Sequence, residues 1–545
     1  MRTRIAGGRV IDPAHGRDSG GDVWIDDGRI IEAPPSGTVA DATYDAAGKI
    51  VMAGAIDVHS HIAGWNVNTA RLLLPEFHRA AAPRPAATPL SNAGWSTFST
   101  GCLYAQMGFT TVVEPAVLPH YALHAHLELA DIPIIDKATL AVLGNDDFLL
   151  GLMRGREGAA AIRDYVAWTL DATRALGVKV VNAGGSMALK ANVRQFSFDD
   201  VVPQYGVTSR EIVKALQRAA HDAGVPHPLH VHCNNLGMAG NVDSALATIA
   251  AAEGLPLHLA HLQFYGYGKE GPRGFSSAAA RLAEAVNGGK DVTIDVGQVM
   301  FGQTVTISLD TLRQFNALHQ ARPRKWVLLE GEANGAGIVP YEYRAGDFYN
   351  AVQWAAGLEL FLLIDDPWRV FFTTDHPNGA PFTTYPEIFA LLMDRDRRAQ
   401  QIATLPPDAM AVTTLPAITR EYSLVEIATM TRAAPARLLG LEDRGHLGPG
   451  AVADVAVYAD ERDRAKMFRA AALVFKDGEL LVRDGAVTHY RWGRALNVRP
   501  GRDRAIDQRM TRYYEDRFGL SDAFLKVPEH AIGRPQPFGL VPCAR

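Results

Sequence analysis

Short apolar runs alternate with longer amphipathic stretches through the middle of the chain. Between the apolar runs, a helical pattern at 158–176 is expected to stop at Gly177, and another opens on the capping box Thr208-Ser-Arg-Glu211. This alternation predicts parallel βα units. The units are numerous enough for a closed eight-stranded barrel, although their number alone leaves a doubly wound open sheet as the alternative. The strand-like runs lie at 110–114, 178–181, 229–232, 257–261, 292–295 and 370–374.

Both ends of the chain carry a second pattern, of short strands separated by tight turns. Asp26-Asp-Gly28 lies between two strand-like runs near the start, and Lys476-Asp-Gly478 lies between two more near the end. Asp-Gly at such a place is typical of a β-hairpin. We therefore expect an α/β protein with a TIM-type (β/α)8 barrel and a small β-sandwich-like domain made from both chain ends. The expected boundaries are 1–52 and 441–499 for the small β domain, 53–440 for the barrel, and 500–545 for a C-terminal extension over the surface.

Composition narrows the class of protein. The 545 residues are 48% hydrophobic and 21% charged, as in ordinary globular proteins. A formal net charge of -5 provides no overall attraction to nucleic acid, and the sequence shows neither the apolar core of a secretory signal nor an apolar run of about 18 residues. We expect a cytoplasmic protein with no nucleic-acid or membrane partner. Three scattered cysteines, Cys102, Cys233 and Cys543, do not suit a thiolate site, so any metal ligands should be nitrogen and oxygen.

The strongest local signal for chemistry is Asp57-Val-His-Ser-His61, which follows the apolar run 51–56. Residues two apart in an extended strand share a face, so His59 and His61 project together and can bind one metal ion. An arbitrary His-x-His pair is more often a surface or core feature. Its position after an aspartate at the end of an apolar strand favours ligation here.

This motif resembles the first-strand motif of the amidohydrolase superfamily, which includes dihydroorotases and hydantoinases. The segments 431–440 and 445–454 resemble the return of that superfamily into its β domain. Binuclear members place a lysine at the end of strand four, histidines at the ends of strands five and six, and an aspartate at the end of strand eight. By this resemblance, the expected metal ligands are His59, His61, Lys179, His232, His261 and Asp375.

The resemblance also implies the chemistry of these positions. In binuclear members the lysine is carbamylated by carbon dioxide, which would turn the ammonium of Lys179 into a carboxylate able to bridge two divalent ions. Zinc is the expected metal. Asp375 is the expected catalytic residue, which takes a proton from the metal-bound hydroxide and passes it to the leaving nitrogen.

Three further histidines compete for a role in this site. His230 shares a face with His232 but lies one layer deeper, and His258 is expected on the opposite face of a regular strand from His261. We therefore prefer His232 and His261 as ligands, because they lie nearer the carboxyl ends of their strands. His376 follows Asp375 directly and is expected to be structural.

Four longer segments, 179–185, 229–237, 258–268 and 373–379, are similar to the A subunits of formylmethanofuran dehydrogenases and of bacterial formyltransferase/hydrolase complexes of methylotrophs. This resemblance covers nearly the whole chain. It implies an N-formyl amine on a methanofuran-type one-carbon carrier as substrate, and formate and the free amine as products. It also implies partner subunits of the B, C and D type.

Other functions stay open on the sequence. The A subunit of a CO2-reducing formylmethanofuran dehydrogenase would instead condense formate with methanofuran. This chain lacks the cysteines for an iron–sulfur cluster, and its composition, rich in Ala, Arg and Gly, favours the bacterial hydrolase. A dihydroorotase- or hydantoinase-like activity is disfavoured by Asn234, where hydantoinases tend to carry an acidic residue. A non-catalytic scaffold should lack some of the six ligand positions, and a one-metal deaminase would not need Lys179.

Overall fold

The computed structural model describes residues 1–73, 96–193, 195–289, 291–308, 337–535 and 537–544. The parts of the expected barrel at 74–95 and 309–336 lie outside the described residues, as do the single positions 194 and 290 and, in the expected extension, 536 and 545. Within the described ranges, the helices are too short or too polar to cross a membrane.

Eight parallel strands, each paired with the next along the chain, form the main body of the protein. A parallel bridge between Ser60 and His376 joins the segment after the first strand to the segment after the last. The strand order never reverses, so the doubly wound sheet is wrong and the TIM-type barrel is confirmed. Barrel strands 1 to 8 are Ala55–Asp57, Phe109–Val117, Asp136–Leu143, Gly177–Val181, Leu229–His232, Leu257–Leu259, Val292–Asp295 and Val370–Phe371.

Helices surround the barrel, and their ends follow local capping chemistry. The capping box at Thr208 is present, since its hydroxyl accepts from the backbone of Glu211 and the Glu211 carboxylate accepts from Thr208. The helix expected to reach residue 176 ends earlier, because Arg174 takes the left-handed conformation and Gly177 begins barrel strand 4. The described α-helices are Trp65–Leu73, Thr97–Gln106, Ala122–Ala130, Asp147–Arg154, Ala159–Thr173, Gly185–Lys190, Ser209–Asp222, Val242–Ala251, Ala279–Gly288, Phe348–Leu363, Tyr385–Met393, Arg395–Ile402, Pro407–Met410, Leu424–Ala428, Ala434–Leu438, Arg464–Arg469 and Ala505–Phe518.

Strands from both chain ends form one nine-stranded sheet, as the fold class predicted. Its two halves join where Lys49–Ala53 pairs antiparallel with Val455–Ala459. Apolar side chains from both halves pack into one cluster that includes Ile5, Val51 and Phe475. The residue boundaries between the domains stay a prediction. The strands are Thr3–Asp12, Arg17–Asp26, Arg29–Ile31, Ala42–Asp45, Lys49–Ala53, Val455–Ala459, Leu473–Lys476, Glu479–Arg483 and Ala486–Val487.

A buried ionic cluster connects this sheet to the amino-terminal end of the barrel. Lys476, at the end of its strand, is fully buried, and its Nζ lies 3.0 Å from Asp136 Oδ2 and 2.9 Å from Asp454 Oδ2. Arg444 lies 3.0 Å from the same oxygen of Asp136. Since Asp136 is the first residue of barrel strand 3, these contacts hold the sheet at the end of the barrel opposite the carboxyl ends of the strands.

The last part of the chain adds two strands beside the barrel. Ala495–Asn497 pairs in parallel with the first half of barrel strand 3, and Phe538–Leu540 pairs in parallel with Ala495–Asn497. Between them, the Tyr513 hydroxyl on helix Ala505–Phe518 donates to Asp147 Oδ2 at 2.8 Å. The remaining described strands form the pairs Val201–Val202 with Val207–Thr208, Tyr267–Gly268 with Ser276–Ser277, and Gly302–Ser308 with Gly337–Tyr343.

Candidate metal centre

The carboxyl ends of barrel strands 1 and 8 bring two histidines and an aspartate together. His59 and His61 follow the last residue of strand 1, and Asp375 follows strand 8. His59 Nε2 lies 3.0 Å and His61 Nε2 lies 3.3 Å from the same atom, Asp375 Oδ1. All three side chains are buried. Two imidazole nitrogens and a carboxylate oxygen that converge in this way are suitable ligands for a divalent cation.

Lys179 points at the same position from the middle of barrel strand 4. Its Nζ lies 3.2 Å from His59 Nε2, and the residue is only 2% exposed. Burial lowers the pKa of Lys179, although the carboxylates of Asp375, Asp295 and Glu114 act in the opposite direction. A lowered pKa favours the neutral amine, which is the form that reacts with carbon dioxide.

His232 and His261 form the other side of the centre. His232 is the last residue of barrel strand 5, and His261 lies two residues beyond strand 6. His232 Nδ1 and His261 Nε2 are 3.0 Å apart, and the rings of His261 and His59 are 5.2 Å apart. His261 Nδ1 is buried and has no hydrogen-bond partner among the described residues. Facing nitrogens beside an unsatisfied one fit a bound cation better than a closed hydrogen-bond network.

All six side chains expected as ligands therefore meet at one face of the barrel, and their donor set is nitrogen and oxygen. Cys233 follows His232 directly, but burial raises the pKa of its thiol to about 12. A raised pKa disfavours the thiolate, which is the form of cysteine that binds metal. The donor set suits divalent zinc, and the ligand role of each residue stays a prediction.

Glu114, which the sequence analysis missed, holds His61. Its Oε1 lies 3.0 Å from His61 Nδ1, and its Oε2 accepts from the backbone N–H groups of Ile62 and Ala63 at 2.6 and 3.0 Å. A carboxylate on Nδ1 orients the ring so that Nε2 faces Asp375. The signal for Glu114 in the sequence was its position, as a carboxylate at the end of the strand-like run 110–114.

Asp295, which the sequence analysis also missed, holds His59 as Glu114 holds His61. Its Oδ2 lies 2.9 Å from His59 Nδ1, and its Oδ1 accepts from the backbone N–H of His261 at 2.6 Å. Asp295 ends barrel strand 7 and is fully buried. Burial alone would raise its pKa, but His59 and His258 outweigh this effect and hold the pKa well below its usual range. The signal was again an acidic residue at a strand end.

His230 and His258 lie in the barrel interior beneath the centre. His230 Nε2 is 3.0 Å from His59 Nδ1, which agrees with its expected deeper layer. The expectation for His258 was wrong: its Nε2 reaches Asp295 Oδ2 at 3.1 Å, so its ring faces the same interior as that of His261. The strand is not regular, because it ends at Leu259 and His261 has a φ of 34°.

His59, His230 and Asp295 form a second group with metal-ligand spacing. Each of their side chains already takes part in a hydrogen bond within the interior cluster. The group around Asp375 Oδ1 is nearer the surface, since 10% of the His61 side chain is exposed to solvent. We therefore place the candidate centre on the Asp375 side, where a substrate can reach it.

The electrostatics of the centre follow from burial and facing charges. Burial lowers the pKa of His61, but Glu114 and Asp375 outweigh it and raise the pKa to about 9. Burial raises the pKa of Asp375, but the neighbouring His261 and His59 hold the pKa well below its usual range. The pocket therefore contains an ionised carboxylate at its centre, which attracts cations.

Two other residues named from the sequence have clear contacts. The backbone carbonyl of His376 accepts from the His61 N–H at 2.8 Å, which is consistent with a structural role. Asn234 donates to Asn182 Oδ1 at 2.9 Å and accepts from the Ser209 hydroxyl at 3.0 Å. Asn234 thus supports the loop after barrel strand 4 at the rim of the centre.

Comparisons with known proteins agree with this geometry. The amidohydrolase family model matches residues 42–489. The A-type component of the formyltransferase/hydrolase complex Fhc of Methylorubrum extorquens is 52% identical over 98% of this chain and 97% of that protein. Protein FwdA of Methanocaldococcus jannaschii is 37% identical over 96% and 97% of the two chains.

A solved structure gives the same result in three dimensions. The chain superposes with a TM-score of 0.95 and 51% identity, over 100% of both chains, on a chain of the Methylorubrum extorquens FhcABCD complex crystallised with methylofuran. The family model alone spans most of the described barrel and much of the small sheet. The chain therefore belongs to the amidohydrolase family.

Proposed function

We propose that this chain hydrolyses an N-formyl amine on a methanofuran-type carrier to formate and the free amine, as the cytoplasmic A-type component of a formyltransferase/hydrolase complex with B, C and D type partners. The observation that carries the proposal is the convergence of Asp375 and five further ligand-type side chains at one face of the barrel. Support comes from the full-length similarity to a protein whose complex was crystallised with methylofuran.

The chain supplies a complete set of ligands for two divalent ions, which we propose to be zinc. Four imidazoles, the Asp375 carboxylate and a carbamylated Lys179 would hold them. When bound, such ions would lower the pKa of a water molecule and polarise a carbonyl. The carbamate forms from the neutral Lys179 amine and carbon dioxide with release of one proton, and Glu114 and Asp295 keep the first-strand imidazoles in position.

Asp375 is placed to move the proton. Its Oδ1 faces His59 and His61, and its Oδ2 accepts from Asn378 Nδ2 at 2.9 Å, which fixes the plane of the carboxylate. Asp375 takes a proton from the attacking water and returns it to the leaving nitrogen as the C–N bond breaks. Water and formamide are thereby converted to formate and amine without any change in oxidation state.

A second candidate is the reverse reaction in a CO2-reducing formylmethanofuran dehydrogenase. Similarity to FwdA supports it, and the same side chains would serve. We favour hydrolysis because the identity to the Fhc protein is 52% against 37% for FwdA. Cys102, Cys233 and Cys543 cannot supply the four thiolates of an iron–sulfur cluster, so reduction of carbon dioxide would require another subunit.

The test is formate release from a formylated furan amine by the complex purified from its native host. We expect Asp375→Asn to keep its position in the centre and, with metal added to saturation, to lower the rate by about 10²–10⁴-fold. Asp365→Asn is the matched control, since Asp365 is exposed beyond the end of helix Phe348–Leu363. Normal turnover by Asp375→Asn would refute the proton role. Co-purification of a subunit that carries molybdenum or tungsten with iron–sulfur clusters would overturn the hydrolytic direction.

A further inference from the structure

A groove of about 640 Å³ lies at the end of the barrel opposite the metal centre. One wall is the C-terminal segment 539–542, and the other walls are turns of the small sheet at 27–29 and Asp477, together with the connection 440–444. Arg444 in this connection contacts Asp136, the first residue of barrel strand 3. The groove is therefore separate from the chemistry at the carboxyl ends of the strands.

The strand Phe538–Leu540 presents an open edge. It is the last strand of its sheet, and among the described residues it pairs on one side only, with Ala495–Asn497. On that side, Pro537 O accepts from the Ala495 N–H and the Val541 N–H donates to Asn497 O, both at 2.8 Å. In a parallel ladder the intervening N–H and C=O groups of residues 538 and 540 then point to the opposite edge. Leu540 is also 63% exposed.

Arg494 adds a charge without a partner to the same groove. The residue lines the groove and is exposed, and its aliphatic part lies beside Gly539. Its guanidinium makes no hydrogen bond or ion pair within the part of the chain that the structure describes. By contrast, Arg29 and Arg491 in the groove each have an acidic partner. Among the charged side chains that line the groove, Arg494 is thus a cation without a partner in the described chain and Glu442 is an exposed carboxylate without one.

We propose that this groove accepts an extended segment of a partner subunit, which adds as a strand to the outer edge of Phe538–Leu540 and places an acidic side chain against Arg494. Strand addition of this kind uses main-chain hydrogen bonds for affinity and side-chain pockets for specificity. An open edge with an exposed leucine is a surface that native proteins normally cover. This inference rests on the proposed role of the chain as one subunit of a complex.

A second copy of this chain fits the groove less well. Symmetric pairing of the two open edges would place both Arg494 side chains near the same axis, since each lies beside its own Gly539. Two unpaired guanidinium groups repel each other, and such repulsion disfavours the homodimer. A different subunit with an acidic residue in its segment does not meet this conflict.

The direct test is photocross-linking in the native complex. Leu540 is replaced by p-benzoylphenylalanine in the full chain, the assembled complex is irradiated, and the attached peptide is identified by mass spectrometry. We expect an acidic, extended segment of another subunit. Attachment to a second copy of this chain, or no cross-link in an intact complex, would overturn the proposal.

Two substitutions test the contacts separately. Leu540→Pro removes the outward N–H, and Arg494→Glu reverses the charge; we expect each to lower occupancy of the partner in native mass spectrometry by about tenfold. Leu540→Ala keeps the N–H, and Arg512→Glu changes an exposed arginine on helix Ala505–Phe518, so both should retain the partner. If Leu540→Pro unfolds the chain, partner occupancy in Arg494→Glu becomes the test of the proposal. If the partner subunit keeps its full occupancy in Arg494→Glu, the proposed docking is refuted. If a variant loses formate release while the partner stays bound, the result bears on the proposed function of the metal centre and not on docking.

Discussion

Each of the two first-strand histidines carries a carboxylate on the ring nitrogen that faces away from Asp375. Glu114 binds His61 Nδ1 at 3.0 Å and Asp295 binds His59 Nδ1 at 2.9 Å. These contacts restrict ring rotation, and they would keep the proton on Nδ1 when Nε2 binds a cation. At the scale of single residues, we therefore expect the metal affinity of the candidate centre to depend on Glu114 and Asp295, which are not among the candidate ligands.

Glu114→Gln tests this dependence. The amide can still accept a hydrogen bond from His61 but has lost the negative charge, so we expect metal affinity to fall by about 10–100-fold. Turnover should largely recover at saturating metal. Affinity is measured by competition with a chromophoric chelator. Glu128→Gln is the control, because Glu128 binds the neighbouring backbone of Gly64 rather than a ligand histidine; equal losses in both variants would contradict the argument.

Lys179→Ala tests the proposed carbamate. The substitution removes the only lysine beside His59 within the described barrel, and we expect loss of activity with partial recovery on addition of short carboxylic acids, which would stand in for the proposed carbamate. Mass spectrometry and electron density at the tip of Lys179 provide the direct measurement. A fully metallated crystal with an unmodified ammonium would exclude the carbamate role.

The junctions after the barrel strands determine how the side chains are aimed. After strands 4, 6 and 8 the backbone turns through positive φ at Asn182, His261 and Asp375, with values of 45°, 34° and 52°. Such conformations cost about 1–3 kcal/mol each in a residue other than glycine and occur mainly at functional sites. At the scale of elements, these three junctions all lie at the end of the barrel where the candidate ligands converge, although positive φ also occurs before strands 3 and 4, at Ile134 and Arg174.

The packing of helix Thr97–Gln106 against its neighbours can be tested at a glycine where the backbone approaches closely. In helix Thr97–Gln106, a Cβ at Gly101 would overlap the carbonyl oxygen of Pro133, so we expect Gly101→Ala to lower the free energy of unfolding by about 1–3 kcal/mol. In helix Asp147–Arg154, Gly151 has open space around this position, and Gly151→Ala should raise the free energy by about 0.5–1 kcal/mol. Urea titrations followed by circular dichroism distinguish the two signs. The same sign in both variants would contradict the close approach of Gly101 to Pro133.

At the scale of the whole molecule, chemistry and stabilisation occupy opposite ends of the barrel. The candidate ligands lie at the carboxyl ends of the strands, whereas Lys476, Asp136 and Asp454 join the small sheet to the amino-terminal end. This separation is general in TIM-type barrels. Because of this separation, residues of the site can be substituted without disrupting the packing of the barrel core.

Chelation tests this separation. Removal of metal should abolish formate release and lower the thermal midpoint, because bound metal stabilises only the folded state. The far-UV circular dichroism at room temperature should stay unchanged, since the barrel core does not depend on the ligands. Addition of zinc should restore activity. Loss of the circular dichroism signal on chelation would show that the metal is instead required for folding.

Much of the fold and the site was predictable from the sequence. Alternating apolar runs and capping signals depend on neighbouring residues, so the strands around Lys179 and His232 and the capping box at Thr208 were recognisable. The candidate ligand positions followed from family resemblance, because motifs at strand ends retain their spacing. The expected helix end at Gly177 was wrong, because the helix already ends at Arg174, a left-handed residue that carries no glycine signal.

Only the tertiary structure decided which side chains meet. Glu114 is 53 residues from His61 and Asp295 is 236 residues from His59, and no local pattern encodes a contact across such distances. The direction of the His258 side chain depended on where barrel strand 6 ends. The open edge at Leu540 depended on which strand the last segment pairs with. The sequence by itself thus determined element type through local periodicity, and the resemblance of its motifs to a known family supplied the candidate ligands. Barrel closure determined their partners, because it brings distant strand ends within hydrogen-bond distance.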